Sequence, residues 1–106
     1  MPVIGTFNAI KDGYTGTIRT LTINAKVQIV ANDRKHGEDA PDFRLMVGAA
    51  EIGVAWRKTK QGSGEAYLRV TLDDPSLPHP IWAALLESRD DGPARLLWRR
   101  DRKDGS

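Results

Sequence analysis

The sequence contains no cysteine, and this absence excludes several kinds of site and scaffold. Without thiols there are no disulfide bridges, no thiolate metal ligands and no cysteine nucleophile, and such a chain is compatible with a reducing compartment. Only two histidines are present, His36 and His79, and they lie in separate polar segments whose spacing matches no metal-binding motif. We therefore expect no metal and no other cofactor, and we expect both histidines at the surface.

Long apolar runs are missing as well. No segment approaches the length of a membrane-spanning helix, and residues 1–13 lack the apolar core of a signal peptide. The prediction is a cytoplasmic protein without membrane contact. With 106 residues, of which 40% are hydrophobic, the chain is expected to form a single domain. We place this β domain at residues 1–99 and expect residues 100–106 to form a basic, frayed tail.

The net charge is only +2, but positive residues are concentrated towards the C-terminal end. Residues 1–54 carry six basic and six acidic side chains, whereas residues 55–106 carry ten basic and eight acidic ones. Between residues 94 and 103, Asp101 is the only acidic residue beside Arg95, Arg99, Arg100, Arg102 and Lys103. A basic end on a near-neutral body permits an anionic partner such as nucleic acid without requiring one.

Short segments of alternating apolar and polar residues, separated by turn residues, recur along the chain and indicate an all-β fold. The expected strands are 5–11, 14–21, 25–30, 43–47, 51–60, 66–72 and 94–99. The segment 81–87 suits either a strand or a short helix. The predicted fold class is therefore mainly β, as a single small antiparallel barrel or sandwich of about seven to eight short strands with at most one short helix.

Turn residues set the expected connections. Asp12-Gly13 predicts a tight two-residue turn with positive φ at both positions, which would place Phe7 opposite Ile18. The segment 73–80 contains three prolines and cannot run through a central strand. Within that segment, Asp73-Asp74 predicts a turn more readily than a cation site. The longest loop is expected over residues 32–41.

The hairpin over residues 52–72 carries two apolar stripes, and its register decides whether they share a face. A four-residue tip sets Trp56 opposite Arg69 and places the stripes on opposite faces. A five-residue tip, or a bulge, sets Trp56 opposite Val70 and places both stripes on one core. Because burial of each large apolar side chain is worth roughly 1.5–3 kcal/mol, the second register is favoured.

That favoured register makes Trp56 a core residue and sets Arg57 directly across from Arg69 on the outer face, beside Tyr67. Opposed like charges are destabilising unless an anion lies between them. The functional hypothesis is a phosphate-binding surface on which Tyr67 stacks against a base. The alternative is a solvated face on which each arginine finds a carboxylate on a neighbouring strand. Trp82 and Trp98 are expected to anchor the core or an interface.

Five blocks of the sequence, taken in order, resemble a known family. They are IGTF at 4–7, GYTGTIRTL at 13–21, APDFR at 40–44, EIGVAWRKT at 51–59 and YLRVTLDDP at 67–75. Together they resemble the bacterial family catalogued as domain of unknown function 736, over nearly the whole chain up to about Trp98. The resemblance implies a protein encoded by Proteobacteria, often on plasmids and integrated mobile elements near conjugation genes. It implies no particular activity or binding site.

No phosphate-binding loop, dinucleotide fingerprint or Ser–His–Asp arrangement is present in the sequence, so we expect no enzyme. The first hypothesis is an accessory protein of a bacterial mobile element that binds single-stranded or double-stranded nucleic acid. Its expected contacts are Arg57, Arg69 and Tyr67, helped by Arg99, Arg100, Arg102 and Lys103. The alternative is a protein-interaction module, either a dimeric adaptor or an inhibitor of a host or conjugation protein, which uses an exposed sheet edge and the segment 75–80.

Overall fold

A computed structural model describes residues 3–33, 37, 39–87 and 92–98, and these residues form one closed antiparallel barrel. The eight strands are β1 (Val3–Ile10), β2 (Gly13–Arg19), β3 (Asn24–Ala31), β4 (Phe43–Val47), β5 (Ala50–Thr59), β6 (Ala66–Leu72), β7 (Ile81–Leu86) and β8 (Ala94–Trp98). Each strand pairs with the next one along the chain, and β8 returns to pair with β1. The mainly β fold class is confirmed, the architecture is a barrel rather than a sandwich, and the ambiguous segment at 81–87 is a strand.

The barrel interior is filled by one apolar cluster to which every strand contributes. Its members are Phe7, Ile18, Val27, Ile29, Phe43, Leu45, Ala55, Leu68, Val70, Leu72, Ala83, Leu85, Ala94 and Leu96. Large and small residues face each other across neighbouring strands. Phe43, for example, pairs with Ala55, and Leu72 pairs with Gly53. An eight-stranded barrel has an interior just wide enough for side chains to fill, so small residues make room for large ones.

The first hairpin has a register two residues away from the predicted one. Phe7 pairs with Gly16 rather than with Ile18, and Ile18 pairs with Gly5. Side chains of a strand alternate between faces with a period of two, so this shift leaves each one on its predicted face. Phe7 and Ile18 accordingly both lie in the core, as the alternation predicted.

The turn of this hairpin explains the difference. It consists of Lys11 and Asp12, and Gly13 is the first residue of β2 rather than a turn residue with positive φ. A Cβ atom at Gly13 would lie 1.9 Å from the carbonyl oxygen of Ile29. The close approach of β3, rather than the geometry of a tight turn, therefore requires glycine at this position.

The second hairpin adopts the register that the burial argument disfavoured. Trp56 pairs with Arg69, and the N–H of Lys60 donates to the carbonyl oxygen of Glu65 at 2.7 Å, which closes a four-residue tip. Gly62 and Gly64 hold φ values of 93° and 75° in this tip, which suit glycine. The prediction of a five-residue tip, with Trp56 opposite Val70, is wrong.

The physical reason is the limited space inside the barrel. On β5 the small residues Gly53 and Ala55 belong to the inward face, while Val54 and Trp56 belong to the outward face. The apolar stripe of β6 fills the interior. Of the β5 stripe, Ile52 packs against the core, while Val54 and Trp56 cover the outer wall. Burial energy favours one shared core only when the core has room for both stripes.

The segment 73–80 connects β6 to β7, as its prolines predicted. The Asp74 carboxylate accepts hydrogen bonds from the N–H and the hydroxyl of Ser76, at 3.0 and 2.6 Å. The hydroxyl and the N–H of Ser76 lower the pKa of Asp74. Asp74 therefore begins a turn, which is the predicted role.

Two expectations concerned histidine and metal. His79 is exposed, as predicted, and His36 lies outside the described residues. Within the described ranges, no three side chains of His, Asp or Glu are grouped so that they would hold a metal ion. A search of those ranges for a helix long and apolar enough to cross a membrane finds none.

Candidate functional site

Three side chains on β5, β6 and β7 form what we call the outer aromatic cluster: Trp56, Arg69 and Trp82. The rings of Trp56 and Trp82 are stacked, with centroids 6.3 Å apart and an angle of 20° between their planes. The guanidinium carbon of Arg69 lies 4.6 Å from the centroid of the Trp82 ring. Neither tryptophan belongs to the buried core or packs against it, so the cluster lies on the outer wall.

Strand order and register bring the three residues together. Arg69 pairs with Trp56 on one side and with Ala84 on the other, and Trp82 pairs with Thr71, two residues along β6. Strands that flank a common neighbour lie about 9.5 Å apart. The ring centroids are closer than that, so the two indoles approach each other across β6.

The loop before β4 fixes the Trp56 ring. The indole N–H donates to the carbonyl oxygen of Asp39 at 3.0 Å. The same loop is tied to β5 by Asp42, whose N–H donates to the carbonyl of Ala55 at 2.9 Å and whose carboxylate accepts from the N–H of Arg57 at 2.8 Å. An aromatic ring held in this way needs little ordering when a ligand stacks on it.

The outer aromatic cluster carries positive charge. No carboxylate of the described residues pairs with Arg69, whereas the Arg44 guanidinium lies 3.4 Å from the Glu51 carboxylate. Lys58 is exposed on the outward face of β5, two residues from Trp56. The wall around the two indoles therefore presents cations that are available to an anion.

The predicted pairing of Arg57 with Arg69 is wrong. With a four-residue tip, Arg57 pairs with Leu68 and shares the inward face of β5, two residues beyond Ala55, which is the core residue of that strand. Tyr67 and Arg69 share the outward face of β6, as predicted. Arg69 pairs on β5 with Trp56, which is not the core residue that we expected, and Tyr67 pairs with Lys58. Four further predicted contacts lie outside the described residues: Arg99, Arg100, Arg102 and Lys103.

Arg57 instead lies at one end of the barrel, which we call the barrel mouth. A cavity of about 560 Å³ opens there, and its lining includes Tyr14, Phe43, Arg57, Leu68 and Glu87. The guanidinium carbon of Arg57 lies 4.9 Å from the centroid of the Phe43 ring. The Tyr14 hydroxyl donates a hydrogen bond to Oε1 of Glu87. The mouth thus joins a flat cation, a phenol and a carboxylate around one opening.

The Tyr14 hydroxyl gives a prediction that depends on pH. Burial, then the hydrogen bond to Glu87 and the charge of Glu87, raise the pKa of Tyr14 to about 12. We expect Glu87→Gln to lower this pKa only part of the way to the ordinary value of 10.0, because burial remains. Titration of the phenolate absorbance measures this pKa, with Tyr14→Phe to assign the signal. A Tyr14 pKa that does not fall in Glu87→Gln would contradict the pairing.

The raised pKa also fixes the sign of the stability effect. Between the unfolded and the folded pKa, the folded chain holds the Tyr14 proton more tightly than the unfolded chain does. The contribution of the Tyr14 proton to the free energy of unfolding is therefore complete below pH 10.0 and is lost as the pH rises towards about 12. Tyr14→Phe should remove this part of the alkaline loss of stability.

Two features of these sites escaped the sequence reasoning. Trp82 was expected in the core or at an interface, and the pairing of Tyr14 with Glu87 was not foreseen at all. The signal for Trp82 was present, because a strand over residues 81–86 places Trp82 and Ala84 on the face opposite Ala83 and Leu85. No local signal joins Tyr14 to Glu87, since β2 and β7 come together at the mouth only when the barrel closes.

Comparison with known proteins gives one match. A family model described as "Protein of unknown function (DUF736)" matches residues 3–101, which is nearly the whole chain. No curated protein and no solved structure matches.

Proposed function

This chain belongs to the DUF736 family, and we propose that it is a non-enzymatic protein that binds single-stranded nucleic acid on the outer aromatic cluster. One observation carries the proposal: two stacked indoles stand outside the core with a guanidinium over one of them. Stacking of a base on an aromatic side chain is worth about 1–3 kcal/mol, and every base has a face that can stack. Arginine adds cation–π attraction and a phosphate contact.

The shape of the wall favours a single strand over a duplex. Bases can stack on protein side chains only when they are unpaired. Reading of duplex DNA relies mainly on an α-helix or a two-stranded ribbon that enters the major groove. The cluster lies on a three-stranded part of a closed barrel, between strands that are paired on both sides. This arrangement suits bases splayed across the wall.

The cations around the cluster supply the second part of the proposed affinity. Phosphate contacts account for most nonspecific binding of nucleic acid and make it depend on salt. Arg69 lies within the cluster, and Lys58 lies on the outward face of β5, two residues from Trp56. The proposed setting is the bacterial cytoplasm. The proposed service to a mobile element is supported by the family resemblance of the sequence.

Arg69→Ala tests the phosphate contact. We expect this variant to bind a short oligothymidylate several-fold more weakly than the wild type. We expect the slope of the logarithm of affinity against the logarithm of salt to become shallower by about 0.7, which is one phosphate contact on a single strand. Titrations of tryptophan fluorescence at several salt concentrations measure both quantities.

The matched control is Arg19→Ala, which removes an exposed arginine from β2 on the opposite wall. This control should retain the salt slope of the wild type. The proposal is wrong if the wild type does not bind the oligonucleotide at low salt. It is also wrong if Arg69→Ala and Arg19→Ala change the slope equally.

A second candidate function, a protein-interaction module, is favoured by Leu21. This side chain is 105% exposed at the tip of the turn between β2 and β3. Thr20 holds the turn, because its Oγ1 accepts hydrogen bonds from the N–H groups of Thr22 and Ile23 at 3.2 and 3.0 Å. The sequence predicted an exposed sheet edge as the contact of such an interaction module. The described strands instead form a closed barrel, so the proposed contact is Leu21.

Leu21→Ser separates this second candidate from the first. The substitution should leave the melting temperature nearly unchanged, because the Leu21 side chain packs on nothing when it is fully exposed. If one specific protein from a conjugating host binds the wild type and not Leu21→Ser, the interaction function is supported. If oligonucleotide binding is normal and no protein is captured, this candidate fails.

A further inference from the structure

The barrel mouth has a composition that the outer aromatic cluster does not explain. The N–H of Arg57 donates to the Asp42 carboxylate, and the guanidinium of Arg57 lies over the Phe43 ring. The Tyr14 hydroxyl holds one oxygen of Glu87. The cavity of about 560 Å³ falls within the range of small-molecule sites, about 300–1,000 Å³. The mouth of a β-barrel is one of the positions at which small-molecule sites occur preferentially.

The charges around the mouth restrict the ligand. Lys11 and Arg57 are the cations that line the described cavity, and Asp12, Asp42 and Glu87 are the anions. With three carboxylates beside two cations, a free anion is repelled more than it is attracted. A neutral ring that donates hydrogen bonds fits better, because carboxylates only accept hydrogen bonds when they are ionised.

We propose that the barrel mouth binds one unpaired guanine base, which stacks against the guanidinium of Arg57 and donates two hydrogen bonds to the carboxylate of Glu87. This inference rests on the proposed function for the strand that supplies the base. Guanidinium planes serve as stacking surfaces for splayed-out bases, whose Watson–Crick edges are then free for hydrogen bonds.

The preference for guanine follows from its Watson–Crick edge. Guanine presents a ring N–H and an amino group side by side, and both are donors that one carboxylate accepts together. Adenine and cytosine place an acceptor beside their amino group, and thymine places its ring N–H between two acceptors. A carboxylate offers about four acceptor positions on two oxygens, so Glu87 can accept both bonds while Tyr14 holds it.

Free nucleosides carry no phosphate, and the positions of the NMR signals that they shift distinguish binding at the mouth from stacking on the wall. We expect guanosine, titrated into the full chain, to shift the backbone amide NMR signals of Gly13, Tyr14, Arg57 and Glu87. Guanosine should bind at least about tenfold more tightly than adenosine, cytidine or thymidine, which corresponds to one bidentate pair. In an oligothymidylate, replacing one thymine by guanine should tighten binding by a similar factor.

Four variants assign the roles. Glu87→Gln should abolish the preference for guanosine, whereas Glu65→Gln, at the exposed β5–β6 tip, should keep it. Arg57→Lys keeps the charge but loses the flat guanidinium, and it should weaken all four nucleosides. Tyr14 is a positioning residue, so Tyr14→Phe should reduce the ratio of guanosine to adenosine affinity while all nucleosides still bind.

The outcomes separate this inference from the proposed function. Guanosine shifts that map away from the mouth, or equal affinities for the four nucleosides, would overturn the inference while oligothymidylate binding still supports the wall. Oligothymidylate that fails to bind, together with guanosine that shifts the mouth residues, would overturn the wall and support the mouth. A guanosine preference that survives Glu87→Gln would also overturn the inference.

Discussion

A variant that carries both Trp56→Ala and Trp82→Ala is expected to bind an oligothymidylate about a hundredfold more weakly than the wild type. Each indole contributes about 1–3 kcal/mol through stacking, and 1.4 kcal/mol corresponds to a factor of ten in affinity. The rings contact each other, so each single variant also disturbs the remaining ring and the two effects are not expected to add. The double variant lacks the two tryptophans whose emission would report binding. Fluorescence anisotropy of a labelled oligonucleotide therefore measures the change in affinity.

Stability and binding should separate in this double variant. Neither indole packs on the buried core, so the barrel should remain folded in far-ultraviolet circular dichroism. Trp56→Phe and Trp82→Phe keep an aromatic face and should retain much of the affinity. Trp98→Phe removes an indole that lies outside the cluster, and it should bind like the wild type. Loss of binding in Trp98→Phe alone would place the site elsewhere.

Gly16→Ala is expected to destabilise the barrel by about 3 kcal/mol or more, which is at or beyond the upper end of ordinary overpacking. A Cβ atom at Gly16 would lie 2.0 Å from the carbonyl oxygen of Thr6 and 2.7 Å from Cα and Cδ2 of Phe7. Most of these atoms belong to the backbone of β1, which cannot retreat without breaking its pairing with β2. Equilibrium unfolding in urea measures the loss.

Gly62→Ala is the matched control for this substitution. Gly62 has a φ of 93° at the hairpin tip, and a Cβ atom there would meet nothing within 4 Å. The strain of that conformation should cost only about 1–2 kcal/mol. A cost for Gly16→Ala no greater than that of Gly62→Ala would mean that β1 and β2 yield at this contact.

The strands were predictable because strand side chains alternate between two environments. The predicted boundaries of 43–47 and 66–72 agree with β4 and β6 residue for residue. Barrel closure was not predictable in the same way. It depends on the pairing of β1 with β8, and nothing in either segment records its distant partner. The sequence therefore left the choice between a barrel and a sandwich open.

The registers were harder because they depend on volume as well as on pattern. Trp56 would belong to the core only if the barrel interior had room for the apolar stripes of both β5 and β6. The interior is instead occupied by the apolar stripe of β6 and by Phe43, with Ala55 fitted between them. Trp56 is excluded from the core because the interior of an eight-stranded barrel has a limited volume for side chains.

The candidate site was predicted in part for the same reason. Tyr67 and Arg69 were placed on the outward face of β6, because alternation within one strand does not depend on its partners. Their neighbours on β5 and β7 were not found, since Trp56 and Trp82 reach the outer wall only through the correct cross-strand register. Arg57 was predicted on the outer wall but lies at the barrel mouth. A change of register by one residue explains this difference, because it turns the side chain to the other face of the strand.

The order of the strands has a consequence for how the chain folds. Seven of the pairings join consecutive strands, while the eighth brings Val3 opposite Leu97. Long-range contacts slow folding because the intervening chain must be ordered first, so closure is expected to limit the rate. The three strands of the outer aromatic cluster are consecutive, and local hairpins can assemble the wall beforehand. A circular permutant that begins at the Gly48-Ala49 turn and runs from β8 into β1 would keep every pairing and would carry the cluster in its first three strands.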